Sequence, residues 1–153
     1  MSVAFMSNGY SMLTTTCLVS MGDVVIDESF KWALAKPPIV KASCVIARLM
    51  DDITSHKEEQ ERKHVASSVD CYMKQYEVIE EYVYSLFNIQ IEDAWKDITR
   101  ESLVCKDVPM PIIMRVINLT RVMNVLYKHK DSFTHVGEEV VDHIKSLLVR
   151  PIL

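Results

Sequence analysis

Glycine and proline are so scarce in this chain that their positions divide it into segments. The 153 residues include 3 glycines and 5 prolines, and the stretches between them hold few residues that break a helix. No stretch of useful length alternates apolar and polar residues as a strand does. We therefore predict an all-α fold. The dividing residues are Gly9, Gly22, Pro37, Pro38, Pro109, Pro111, Gly137 and Pro151.

The spacing of apolar residues between these positions predicts where the helices lie. A first helix should occupy residues 3–21 with a kink or break at Asn8-Gly9, because both residues tolerate backbone angles that others avoid. A helix over 112–126 is apolar on more than half its circumference, so we expect it to be deeply buried. Further helices are predicted over 27–35, 39–64, 69–76, 79–87, 89–103 and 138–148.

The size and charge of the chain limit what it can bind. Its length fits a single domain, and 17 Lys and Arg against 21 Asp and Glu give a formal net charge of -4. Nucleic acids and anionic membranes attract clustered basic residues, which this chain lacks. We therefore expect neither partner, and an anionic substrate would need a metal ion or local basic groups.

The amino-terminal segment lacks the features of a secretory leader. It is apolar but interrupted by polar residues, and its first basic residue is Lys31. We predict neither a signal peptide nor a membrane span there. We therefore expect a cytoplasmic protein. The four cysteines have no zinc-ligand spacing, so we expect buried reduced thiols at Cys17, Cys44, Cys71 and Cys105.

The predicted helix over 39–64 carries a stripe of polar side chains that could perform chemistry. Its members are Arg48, Asp51, Ser55 and Glu59, which fall within roughly 80° of one another around the helix axis. Such hard oxygen ligands suit Mg²⁺, which takes one or two carboxylates and completes its coordination with water and phosphate oxygens. The Arg48 guanidinium could pair bidentately with the same phosphate.

The same spacing has a simpler interpretation. A polar stripe opposite an apolar one is also what the solvated face of a surface helix shows. The charged residues Lys41, Asp52, Lys57 and Glu58 of this segment agree with that interpretation. Spacing alone leaves both interpretations open, and residue identity has to decide between them.

The residues of the stripe resemble the second metal-binding motif of plant terpene synthases. In that motif Asn or Asp, then Ser or Thr, then Glu recur at four-residue steps, as Asp51, Ser55 and Glu59 do. The resemblance extends over essentially the whole chain and is closest to sesquiterpene synthases of the delta-cadinene synthase kind. Other matching segments are 10–16, 30–32, 64–76, 94–98 and 131–135.

The resemblance implies an isoprenoid-synthase (class I terpene cyclase) helical bundle, of which residues 1–153 are the C-terminal part of the metal-binding catalytic domain. It implies a lyase that binds farnesyl diphosphate through Mg²⁺, or Mn²⁺ in its place, releases diphosphate and cyclises the resulting allylic cation. Asp51, Ser55 and Glu59 match the metal ligands, and Arg48 matches a diphosphate-binding arginine. Metal and guanidinium would stabilise the departing diphosphate more in the transition state than before it.

Three further sites are carried over from the same resemblance. Asn8-Gly9 matches a helix break whose backbone carbonyls face the cation, and Tyr127 and Asp131 match catalytic positions near the mouth of the pocket. Each also has a purely structural interpretation. The helix break is then a kink without a ligand, the Tyr127 ring only packs, and Asp131 is a turn residue.

The chain also departs from the family pattern. No DDxxD motif occurs in it, although family members use one to bind further Mg²⁺ ions across the pocket. The resemblance further implies that the given sequence begins inside the catalytic domain, without the N-terminal domain and roughly the first half of the catalytic domain. Phe133 stands where a tyrosine is frequent, so it offers no phenolic hydroxyl to a proton relay.

Two hypotheses about function follow. In the first, the chain is the C-terminal portion of a sesquiterpene synthase and is inactive by itself, because the DDxxD motif is missing. In the second, it is a non-catalytic helical interaction protein derived from a terpene cyclase, which keeps the cyclase half-fold and pairs with a full-length synthase. Either way, apolar faces that further helices would cover predict association. A prenyl chain-elongating enzyme fits less well, since such enzymes carry two aspartate-rich motifs.

Overall fold

A computed structural model of the chain describes residues 9–62, 66–128 and 130–150. Within these ranges all regular structure is helical, and no strand is present. The predicted all-α fold is confirmed. The helices are α1 (Tyr10–Val19), α2 (Asp27–Leu34), α3 (Pro38–Arg62), α4 (Ser68–Tyr76), α5 (Glu80–Val104), α6 (Met110–Leu126) and α7 (Glu138–Leu148), with a 3₁₀ turn at Gly22–Val24.

Turn-forming residues set the helix ends where the sequence predicts. Helix α1 starts directly after Gly9, whose φ of 71° is a left-handed conformation that glycine adopts without strain from a Cβ atom. Asn8, the other half of the predicted break, lies outside the described residues. Helix α3 begins at Pro38, since the first turn of a helix accepts a residue without an N–H donor.

Helix α5 differs from the prediction. Residues 79–87 and 89–103 were predicted as two helices, but a single helix of 25 residues spans both. Asn88, at the expected boundary, is exposed in the middle of it. One asparagine costs a helix only a fraction of a kcal/mol, about 0.7 at most. The packing of α5 along the length of α3 outweighs that cost.

Helix α3 lies at the centre of the bundle and contacts α1, α4, α5 and α6. Its side chains Ile39, Val40 and Ile46 are fully buried in the main core. Leu49 of the same helix packs in a second cluster with Val69, Val83 and Phe87. Neighbours therefore cover α3 on more than one face, and this decides the environment of its polar stripe.

Helices α6 and α7 are more exposed than a core helix. We expected α6 to be deeply buried, but Met110, Met114, Val122 and Val125 on it are exposed, because only one side of it contacts other helices. Helix α7 has no buried residue. Among the described residues, no helix is long and apolar enough to cross a membrane.

All four cysteines are free thiols. Cys44 is buried, as predicted, and Cys17 and Cys105 are partly buried. Cys71 is exposed on α4, so the expected burial is wrong for that residue.

Candidate functional site

The polar stripe of α3 is in contact with protein rather than fully solvated. Ser55 is 9% exposed, and Arg48, Asp51 and Glu59 are half-buried. The solvated-face interpretation therefore fails for the stripe, although it does describe Lys41 and Lys57, which are exposed.

Ser55 and Glu59 are in direct contact. The Ser55 hydroxyl donates a hydrogen bond to Glu59 Oε1 at 3.2 Å, as the four-residue spacing on one helix face allows. A serine oxygen that donates its only proton still has its lone pairs for a further partner. Two oxygen-bearing side chains are thus brought together, with Asp51 one turn earlier on the same helix.

Asp51 is tied to the end of α6. The Tyr127 hydroxyl lies close enough to the Asp51 carboxylate for each group to shift the other's pKa. Burial raises the pKa of Asp51, and the Tyr127 hydroxyl opposes that rise; Asp52 and Asp131 raise it further, whereas Arg48 lowers it. Burial and the Asp51 carboxylate also raise the pKa of Tyr127, so the Tyr127 hydroxyl keeps its proton.

Asp131 organises the segment between α6 and α7. Its Oδ1 accepts a hydrogen bond from the Phe133 N–H at 2.9 Å, and its Oδ2 accepts one from the Thr134 hydroxyl. This is the local bonding of a turn aspartate. Nearby, His135 Nδ1 lies 3.2 Å from Glu58 Oε1 on α3. The segment is therefore fixed over the polar side of α3, where the Asp131 charge reaches Asp51 and Tyr127.

Asp52 is the residue that sequence reasoning misplaced. It was assigned to a solvated face, but its side chain is 2% exposed. Its carboxylate accepts hydrogen bonds from Arg48 Nε at 3.0 Å and from Arg48 Nη2 at 2.8 Å. The separation of four residues between Arg48 and Asp52 was a usable signal, since i and i+4 side chains meet on a helix.

His56 is a second buried polar residue that the sequence did not single out. Its ring is fully buried, with Nδ1 at 2.7 Å from Ser67 Oγ and Nε2 at 3.1 Å from Gln60 Nε2. Ser67 caps the start of α4 by accepting a hydrogen bond from the Asp70 N–H. His56 therefore connects the end of α3 to the start of α4.

The start of α1 is anchored to the core by hydroxyl groups. Tyr10, which follows Gly9, shares a 2.8 Å hydrogen bond with Thr120 Oγ1 on α6. Thr120 in turn donates to Ser43 Oγ on α3 at 2.8 Å. These contacts fix the end of α1 at which Gly9 lies.

The oxygen ligands of the stripe fit a divalent metal that keeps part of its solvent shell. Within the described ranges, no group of three or more His, Cys, Asp or Glu side chains could hold a metal ion by itself. Asp51, Ser55 and Glu59 supply two carboxylates and a hydroxyl, which is a partial set. Mg²⁺ prefers such a site, since it takes its remaining ligands from water and phosphate; Mn²⁺ accepts the same oxygen ligands.

Comparison with known proteins identifies relatives along the whole chain. A family model described as terpene synthase family, metal binding domain, matches residues 1–97. Alpha-isocomene synthase of Matricaria chamomilla var. recutita is 58% identical over 99% of this chain and 28% of its own length. Sesquiterpene synthase TPS1 of Xanthium strumarium is 51% identical over 97% of this chain and 27% of its own. The chain thus spans between a quarter and a third of each of these relatives.

Solved structures share the backbone arrangement. Isoprene synthase from grey poplar leaves (Populus x canescens) matches with a TM-score of 0.79 and 24% identity, over 98% of this chain and 28% of that one. A limonene synthase with 2-fluorolinalyl diphosphate matches with a TM-score of 0.81 and 22% identity, over 98% and 28%. At these identities the likeness establishes the fold.

Proposed function

This chain belongs to the terpene synthase family, and from that premise we propose that it provides one Mg²⁺ site and one diphosphate-binding arginine of a sesquiterpene synthase. The proposed substrate is farnesyl diphosphate, the reaction class is a carbon–oxygen lyase, and the compartment is the cytoplasm. The observation that carries the proposal is the Ser55–Glu59 contact on a partly buried helix face, with Asp51 one turn away.

Asp51, Ser55 and Glu59 are the proposed metal ligands, and Mn²⁺ could replace Mg²⁺. The bound ion would supply positive charge to a leaving diphosphate. Ser55 already donates its proton to Glu59, so its oxygen lone pairs are available for a cation. Arg48 is the proposed diphosphate ligand, because a guanidinium binds phosphate oxygens with charge-assisted hydrogen bonds.

Tyr127, Asp131 and the Asn8-Gly9 break are proposed as the catalytic surroundings of this site. Burial and the Asp51 carboxylate raise the pKa of Tyr127, so its hydroxyl keeps its proton next to Asp51, and the Asp131 carboxylate lies nearby. A positively charged intermediate would be favoured by these charges and by backbone carbonyls at the helix break.

Binding of inorganic pyrophosphate tests the metal site directly. In the presence of Mg²⁺, calorimetry should detect binding to the purified chain, and Ser55→Ala or Glu59→Gln should weaken it about tenfold, or about 1.4 kcal/mol. Ser85→Ala is the matched control, because Ser85 is exposed on α5 and bonds only the Glu81 carbonyl. Equal binding by all variants would reject these ligands.

We further propose that the chain by itself does not turn over substrate, because it contains no DDxxD motif. Incubation with farnesyl diphosphate and Mg²⁺ should yield no sesquiterpene hydrocarbon in a solvent extract. A sesquiterpene product above the level of a heat-treated control would overturn this statement.

A non-catalytic interaction protein is the second candidate function. It is favoured by the apolar side chains of α7, where the neighbouring Leu147 and Leu148 are 81% and 80% exposed, since contiguous exposed apolar surface marks interaction sites. This candidate predicts a monodisperse complex that survives Ser55→Ala and Glu59→Gln. Loss of pyrophosphate binding in those variants, with no complex found, favours the synthase.

A further inference from the structure

Asp52 is a buried carboxylate next to the proposed metal ligand Asp51. Adjacent residues of a helix point about 100° apart, so the two carboxylates have different partners. Asp51 contacts Tyr127, whereas Asp52 contacts Arg48 through two hydrogen bonds. The Asp52 carboxylate is therefore paired with the Arg48 guanidinium on its own helix.

Stability alone is a weak explanation for the Arg48–Asp52 pair. An ion pair between exposed residues four apart on a helix already contributes a small stabilisation without any burial. Burying the carboxylate adds a desolvation cost, and such pairs are often no more stabilising than apolar residues of the same volume. The Asp52 side chain nevertheless lies almost wholly out of solvent.

The contact leaves part of the Arg48 guanidinium accessible. A guanidinium has five N–H donors in a planar fork, and Asp52 takes one on Nε and one on Nη2. Three donors remain, including both on Nη1, and the Arg48 side chain is 30% exposed. These remaining N–H groups can donate hydrogen bonds to a phosphate group while Asp52 holds the other edge of the guanidinium.

We propose that Asp52 is a positioning residue, which fixes the Arg48 guanidinium so that its accessible edge receives the diphosphate. This proposal rests on the proposed function of the same site. Asp52 itself touches neither metal nor substrate. Its contribution is the direction in which Arg48 presents its donors, which saves the cost of ordering a flexible side chain on binding.

Charge and positioning predict opposite effects for the same substitution. Asp52→Asn removes a negative charge next to an anion site, so electrostatics alone would strengthen pyrophosphate binding. The amide also presents N–H groups to a guanidinium that has only donors, so the bidentate contact is lost. If positioning dominates, the binding becomes weaker although the site is more positive.

The test is pyrophosphate affinity in the presence of Mg²⁺, measured by calorimetry. We expect about a tenfold weaker affinity for Asp52→Asn. For Asp52→Glu, which keeps the charge but moves the carboxylate by one methylene, we expect a loss of several-fold. Asp97→Asn is the matched control, because Asp97 pairs with Arg100 on the surface of α5, and it should leave the affinity unchanged. Unchanged or stronger binding by Asp52→Asn would overturn the proposal.

A double-mutant cycle separates positioning from general loss of structure. In an Arg48→Gln background, Asp52→Asn should cause no further loss of affinity, because there is no guanidinium left to orient. Additive losses in the double mutant would contradict the proposal. If Asp52→Asn loses its helical circular dichroism, Asp52→Glu alone decides the result.

A spectroscopic signal distinguishes failure of this inference from failure of the proposed function. In the ¹⁵N NMR spectrum of the wild-type chain, the Arg48 Nε–H should exchange slowly with water, and in Asp52→Asn it should exchange at least tenfold faster. A protected signal that does not depend on Asp52 overturns the positioning role. If the wild-type chain binds no pyrophosphate, the proposed function is wrong, and so is the proposed effect of Asp52 on anion binding. The exchange rate of the Arg48 Nε–H still decides whether Asp52 holds the guanidinium in place.

Discussion

The Tyr127 hydroxyl, at the end of α6, lies close to the Asp51 carboxylate on α3, and the two groups shift each other's pKa. The two residues are 76 positions apart in the sequence, so they come together only when α6 is docked against α3. Their proximity connects the proposed metal-binding helix to the segment that carries Asp131. Four predictions about the fold and the site follow from this and related contacts.

Tyr127→Phe should destabilise the chain by at most about 0.5–1.5 kcal/mol, the net contribution of one ordinary hydrogen bond, because it removes the hydroxyl that lies next to Asp51. It should also raise the pKa of Asp51 further, since the Tyr127 hydroxyl lowers that pKa. Urea unfolding measures the first effect and NMR titration of the carboxyl measures the second. Tyr82→Phe is the control, because Tyr82 is exposed; an equal response by both variants would contradict an interaction between Tyr127 and Asp51.

Asp51→Asn should stabilise the metal-free chain at pH 7. Burial raises the pKa of Asp51 in the folded chain, so keeping this group ionised at pH 7 costs folding free energy. Below its ordinary pKa of about 3.9 the carboxyl is protonated in both the folded and the unfolded chain, and the cost disappears. The advantage of the Asn variant should therefore be full above the raised pKa and shrink as the pH falls through it.

The measurement for Asp51→Asn is the midpoint of thermal unfolding at several pH values with EDTA present. At pH 7 we expect a gain of about 2–4 °C, the shift that 1 kcal/mol produces in a domain of this size. A difference from wild type that is independent of pH would show that ionisation of Asp51 is not its cause.

Thr120→Val should destabilise the chain by about 1–3 kcal/mol, because it leaves buried hydroxyl groups without one of their partners. Thr120 bonds both Tyr10 and Ser43, and all three are buried. Thr16→Val is a matched control, since Thr16 is also a helix threonine. Its hydroxyl donates a hydrogen bond to the Met12 carbonyl, but in an exposed position. Its effect should stay within about 0.5 kcal/mol. Denaturant unfolding measures the free energy of unfolding of both variants. Similar losses of stability in Thr120→Val and Thr16→Val would contradict the prediction.

His56→Leu should cost about 1–3 kcal/mol, since Ser67 Oγ loses a buried hydrogen-bond partner. His143→Leu serves as control because His143 is exposed on α7. We also expect faster amide hydrogen exchange at the start of α4, which Ser67 caps. Unchanged exchange there would mean that His56 does not hold the junction of α3 and α4.

The sequence predicted features whose causes are local. Gly9 permits a left-handed backbone and Pro38 fixes its own φ, so the break before α1 and the start of α3 could be predicted from these single residues. The same is true of the row formed by Asp51, Ser55 and Glu59, because helical geometry fixes the face on which residues four apart project. The Arg48–Asp52 pair was equally local, and its spacing could have predicted it.

Only the tertiary structure decided which of these faces is covered and which distant residues meet. The continuity of α5 across Asn88, the exposure of one side of α6, and the burial of Asp52 depend on the helices packed against each position. The proximity of Tyr127 to Asp51 depends on how two helices dock. Burial is a property of non-local contacts, and a periodic pattern states which side chains share a face but not what covers that face.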